Sequence, residues 1–230
     1  MPFSQETLKF LRALHRNNDR EWFEARRDLY ERNFRQPARQ FVDEIRAPLL
    51  KLFPNFRVDY RSVGRIHRDT RFSSDKRPYK NYVSFSFSDR TSKESSYPGA
   101  YLGFDSTGVV LGIGSYVFTK PVREHFRDRV TTSPTDAAFS RAIRIAEKKG
   151  FVAAGRDLKK IPPGYDPEHP NVDFLRHNGL YLSKEYDFSP LFLTDRFPKW
   201  VVKQLEPCAP FYMWMREMAR SGPRDLARFL

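Results

Sequence analysis

The hydrophobic repeat of this chain changes period near Phe56, and that change constrains the fold more than any other feature. Before it, apolar residues recur at helical spacing. Ser4 is placed to cap a helix whose Leu8, Leu11 and Leu14 share one face. Asn18 reads as the cap of a second helix, with Glu21 three residues on. That helix carries the stripe Trp22, Ala25, Leu29 and Asn33, with Phe23, Tyr30 and Phe34 beside it. Pro37 suits the first turn of a third helix bearing Phe41, Ile45 and Leu49, which Pro48 is expected to kink or end. After Phe56 the period is two. Residues 56–72 read as extended, and Val83, Phe85 and Phe87 alternate with Ser84, Ser86 and Ser88 as in a strand with one buried face.

Residues 100–104 and 109–114 flank Asp105-Ser-Thr-Gly108, a hairpin signal. Helices then return. Pro121 starts one over 122–130, and Ser133-Pro134 starts another that runs to about residue 149, with Phe139, Ile143 and Ala146 inward. Residues 151–172 read as irregular, 172–177 as a short helix, and 181–186 as a strand. A last helix over 198–219 is interrupted near Pro207 and Pro210. The order predicts an α+β fold: a central antiparallel sheet with N-terminal and C-terminal helices packed on it. A single domain over 1–230 is expected, helical over 1–53, mostly β over 56–116, and mixed or helical over 119–220.

Phe alone contributes 21 residues, enough for a sizeable core without covalent staples. Cys208 is the one cysteine, which excludes an intramolecular disulfide and a zinc site built on several thiolates. No apolar run reaches the roughly 20 residues that span a bilayer, and Met-Pro-Phe-Ser-Gln-Glu-Thr lacks a signal-peptide core. The expectation is a cytoplasmic protein without a membrane partner.

The net charge of +13 attracts polyanions without naming one. It is densest in the middle of the chain, where residues 57–80 hold eight basic and three acidic residues. Within it, Arg65-Ile-His-Arg-Asp-Thr-Arg-Phe-Ser-Ser-Asp-Lys-Arg-Pro-Tyr-Lys80 sets six cations against Asp69 and Asp75. Guanidinium and ammonium groups at a strand end grip phosphate, carboxylate or a nucleic-acid backbone. Arg65, Arg68, Arg71, Lys76 and Lys80 are the candidate anion ligands, and Tyr79 is placed to close over an anion. His67, beside Asp69, is a candidate general base. The alternative is that Arg65 or Arg68 pairs internally with Asp69, Glu21 or Asp28.

Other motifs carry less. Gly112-Ile-Gly114 lacks the second half of a dinucleotide fingerprint and points to close packing in the sheet. Asp173 and His177 lie one helical turn apart in an acidic, His-bearing patch, without the third ligand a metal centre needs, so no metal is expected. No cofactor motif is present and none is expected. Gly-x-Ser-x-Gly, P-loop and His-Glu-x-x-His patterns are absent from the sequence.

Asn17-Asn-Asp-Arg-Glu-Trp-Phe-Glu-Ala-Arg-Arg-Asp-Leu-Tyr30, the basic motif of residues 65–80, the Gly-rich hairpin and Gly164-Tyr-Asp-Pro-Glu-His-Pro170 together resemble a conserved-hypothetical bacterial family, domain of unknown function 2461. The resemblance spans nearly the whole chain. It implies a compact domain and brings no catalytic residues with it. His67 stands where the family pattern has an aromatic, which counts against a general-base role. The reading from the residues is an anion-binding domain for a phosphate- or carboxylate-bearing small molecule. The alternatives are a nucleic-acid-binding protein using the same basic surface, and a protein-interaction module in which the charges are structural. No reaction and no oligomeric state follow from the sequence.

Overall fold

The computed structural model describes residues 2–71, 73–92, 94 and 96–223. Helices α1 (Gln5–Arg16), α2 (Arg20–Glu24), α3 (Arg27–Tyr30) and α4 (Gln36–Leu52) come first, with a π-helical turn at Glu31–Arg35. Strands β1 (Val83–Phe87), β2 (Gly99–Phe104) and β3 (Gly108–Ser115) follow, then α5 (Lys120–Thr131), α6 (Thr135–Glu147), β4 (Val152–Arg156) and β5 (His177–Asp187). Helices α7 (Phe197–Leu205) and α8 (Ala209–Ser221) close the series, joined by a 3-10 turn at Glu206–Cys208. The five strands form one antiparallel sheet in the order β1-β2-β3-β5-β4, with helices on both sides, so the fold is α+β. No helix among the described residues is long and apolar enough to cross a membrane.

The chain groups into two compact units. One holds residues up to 87, 101–111 and 185–204. Its core is aromatic: Phe3 lies 4.9 Å from Phe104, Phe41 lies 4.8 Å from Phe85, and Phe192 and Phe197 complete the cluster at 5.1 Å. The other unit holds residues 88–100, 112–184 and from 205 onward. Phe126, Phe139 and Trp214 form its centre, and the Trp214 indole N–H donates to the Thr135 carbonyl at 3.0 Å.

Local signals place most elements. Asp105 accepts from the backbone of Thr107 at 2.7 Å and of Gly108 at 3.1 Å, closing the β2–β3 hairpin as its turn residues require. Phe139, Ile143 and Ala146 of α6 are buried. Gly114, at φ +138°, is the one residue type that fits there, because a Cβ would strike the backbone of Leu180 and Tyr181. The reading of close sheet packing for the Gly112–Gly114 segment matches that contact.

Four local expectations are corrected. Asp19 rather than Asn18 caps α2, accepting from the Trp22 amide at 2.8 Å. The second helix is broken into α2, α3 and the π turn, and Phe23 and Phe34 face inward while Ala25 and Leu29 are exposed. The bulkier aromatic row removes more apolar area from water and wins the inner side. Pro48 does not end α4, which runs on to Leu52, since Ile45 and Leu49, both fully buried, hold the turns on either side of the missing N–H. Residues 151–172 contain a strand, β4, which pairs antiparallel with β5, Ala154 opposite Tyr181. Its sequence, Val-Ala-Ala-Gly-Arg, has almost no alternation and a half-exposed edge position, so period gave no warning.

Candidate functional site

The basic motif does not form a strand. Val63 and His67 make isolated bridges to Phe85 and Tyr79, and Tyr60–Ser62 is a 3-10 turn capped by Asp59. The extended reading of residues 56–72 is therefore corrected for the described residues; Phe72 lies outside them. Dense charge along the segment and a capped turn within it replace a continuous ladder by a two-legged loop. The legs are tied by backbone hydrogen bonds, Arg68 N–H to Pro78 O and Lys80 N–H to Ile66 O, both 2.8 Å. Ile66 and Tyr79 anchor the legs in the core; Tyr79 is 3% exposed and stacks on Phe23 at 4.2 Å. Its side chain is part of the packing under the loop.

Between the legs each acid takes arginines from its own loop. Arg71 chelates Asp69, Nη2 to Oδ2 at 2.7 Å and Nε to Oδ1 at 3.0 Å. Asp75 accepts from Arg77 at 2.7 Å and from Arg68 at 2.6 Å. These guanidinium bonds hold the Asp69 carboxyl at about 2 and the Asp75 carboxyl lower still. Lys76 Nζ donates to the Thr70 carbonyl at 2.9 Å. His67 is exposed, its ring 5.2 Å from Tyr79, and its neighbour Asp69 is engaged by Arg71 rather than by the imidazole.

Two cations of the motif are left. Arg65 is exposed and Lys80 half-buried, and neither forms an ion pair among the described residues. They lie close enough to repel: the Lys80 ammonium is held below its ordinary range first by burial and then by the Arg65 charge. Lys80 Nζ stands 5.8 Å from the Tyr82 ring centre. Tyr82 in turn lies beside Tyr101, whose hydroxyl is pushed up to about 12 by burial and by Tyr82. Both tyrosines line a cleft of about 350 Å³ with Gly103, Tyr186, Glu185 and Asp187. That volume falls at the small end of ligand pockets. Phenol rings offer flat apolar faces there, and the two carboxylates accept from hydroxyl or amine donors.

The sequence reading did not find Tyr82, Tyr101 or this cleft. The concentration of glycines over Gly99–Gly114 was the available signal, since strands without side-chain bulk leave room for a close approach. The acidic, His-bearing patch is used structurally. His169 accepts from the Asn171 amide at 3.0 Å and faces Asp136 at 3.4 Å, Asp173 sits 3.5 Å from Arg176, and His177 is buried. Among the described residues no three His, Cys, Asp or Glu side chains converge as metal ligands. Cys208 is fully buried, and burial pushes its thiol up to about 12.

No curated protein and no solved structure matches the chain. The family described as conserved hypothetical protein DUF2461 matches residues 6–214, nearly the full length, and the chain belongs to that family.

Proposed function

We propose that this chain is an anion-binding domain that takes a phosphate- or carboxylate-bearing small molecule through Arg65 and Lys80. The observation that carries the reading is the selection made inside the basic motif. Arg68, Arg71, Lys76 and Arg77 are engaged by acceptors of their own loop, whereas Arg65 and Lys80 feel each other's charge and form no ion pair among the described residues; Asp69, the acid that Arg65 acts on, is already chelated by Arg71. An anion between two such cations relieves their repulsion and satisfies both, which is the physical basis of a binding site. Arg68, Arg71 and Lys76 then act by holding the loop in shape, and Tyr79 by anchoring it. The cleft lined by Tyr82 and Tyr101 supports a small organic ligand over a bare polyanion, because Lys80 stands over the Tyr82 ring at its rim.

The test is a calorimetric titration with inorganic phosphate and with acetate at constant ionic strength. Saturable binding should weaken about tenfold in Arg65→Gln and in Lys80→Gln, the loss of one charge-assisted contact. Affinity unchanged in both variants would overturn the assignment. Tight binding of duplex DNA that survives physiological salt and is lost with the same substitutions would replace the small molecule by nucleic acid.

A further inference from the structure

Helix α5 carries a second pair of cations, Arg123 and Arg127, one turn apart. Arg127 is only 9% exposed, and its Nε donates to the Leu175 carbonyl at 3.0 Å. Arg123 donates through Nη1 to Asn178 Oδ1 at 3.3 Å, and its Nε is buried without a partner. Both guanidiniums are thus fixed by neutral oxygens at residues 175 and 178, and neither forms an ion pair among the described residues. The neighbouring acids are committed elsewhere or turned out. Asp128 accepts the Tyr165 hydroxyl at 2.9 Å, Asp173 pairs with Arg176 and Arg156, and Glu124 is exposed. Burial, and next the Arg123 charge, hold the Arg127 guanidinium below its ordinary range; the Tyr165 side chain and Glu124 act more weakly in the other direction.

The Arg127 guanidinium keeps only a small access to water and so gains from a counter-charge, and the half-buried Arg123 beside it adds to that need. A carboxylate side chain is the usual partner in a protein. Here the chain supplies carbonyls instead and leaves the two terminal nitrogens of Arg127 without an acceptor among the described residues. Two forks outnumber the oxygens of one carboxylate; a phosphate group, with three or more acceptor oxygens, matches them. We propose that Arg123 and Arg127 form a phosphate site, separate from Arg65 and Lys80, with the Tyr165 hydroxyl at its edge.

The experiment uses the full chain carrying Arg65→Gln and Lys80→Gln, so that the site proposed above is already removed. Inorganic phosphate is titrated at constant ionic strength, followed by calorimetry and by the arginine Nε–Hε resonances. Saturable binding is expected to persist in this background. The Arg123 and Arg127 resonances should shift along the same saturation curve, and Arg123→Gln should weaken binding about tenfold. Acetate should bind more weakly than phosphate. The absence of saturable phosphate binding in this background would overturn the proposal while leaving the Arg65–Lys80 site standing. Unshifted Arg123 and Arg127 resonances would overturn it whether or not any further variant folds. Acetate binding as tight as phosphate would overturn the choice of phosphate.

Discussion

Asn18 holds Tyr79 by the backbone on both sides: its Nδ2 donates to the Tyr79 carbonyl and its Oδ1 accepts from the Tyr79 N–H, each at 2.9 Å. One amide side chain thereby does what a neighbouring strand would do. It pins the second leg of the basic loop to the start of the helical region, 61 residues away in sequence. The Tyr79 ring, stacked on Phe23, adds packing to the same joint.

Asn18→Ala should cost roughly 2–3 kcal/mol, because it removes both bonds and strands a part-buried backbone donor and acceptor. Asn18→Asp keeps the acceptor and should cost less. Denaturant unfolding measures both, and exchange of the Tyr79 amide should quicken in each. A loss in Asn18→Ala within about 0.5 kcal/mol, the range of ordinary surface changes, would show that the joint is held by packing alone.

Arg216 Nε donates to Asp89 Oδ2 at 2.6 Å, and the Asp89 side chain is wholly buried. The carboxylate also accepts from the Thr91 amide at 2.7 Å and from its hydroxyl. Arg216→Ala removes the only cation paired with it among the described residues and should cost roughly 3–5 kcal/mol. The double variant Asp89→Asn with Arg216→Met should recover part of that loss in thermal melts, since no buried charge is then left unpaired.

Arg68 has a quarter of its side chain exposed, and its partner Asp75 about a third. Solvent screening limits what the pair contributes, so Arg68→Ala should cost no more than about 1 kcal/mol. Arg77 keeps Asp75 paired when Arg68 is gone. An unfolding free energy lowered by several kcal/mol would mean that Arg68 is a core charge.

Lys80 gives the proposed anion site a pH signature. Its folded-state value lies below the ordinary 10.5. Between the two values the unfolded chain holds more protons than the folded one, so this residue makes stability rise with pH across that window. Anion affinity runs the other way. Binding needs the charged ammonium and should fall as pH rises into the window below 10.5, earlier than an ordinary lysine would lose its proton. Lys80→Arg should keep phosphate affinity flat over the same range. An alkaline loss that is identical in wild type and Lys80→Arg would assign it to another group.

Period and turn chemistry act over a few residues, and what depends on them was determined by the sequence alone. The hairpin around Asp105-Ser-Thr-Gly108, the inner face of α6 and the interruption between α7 and α8 at the prolines are of this kind. The α+β order follows from the same signals. The basic loop was legible as a concentration of cations between Arg65 and Lys80, but which of them are spare was not. That depended on Asp75 reaching back seven residues to Arg68, on Asp69 closing on Arg71, and on Asn18 setting the path of the second leg. Arg123 and Arg127 gave no sequence signal, because whether a helical arginine faces water or a carbonyl is fixed by the element packed against it, here residues 175–178. The same holds for β4, whose place rests on its pairing with β5. Local chemistry writes the elements; the balance of charge between them exists only once distant segments are brought within hydrogen-bond reach.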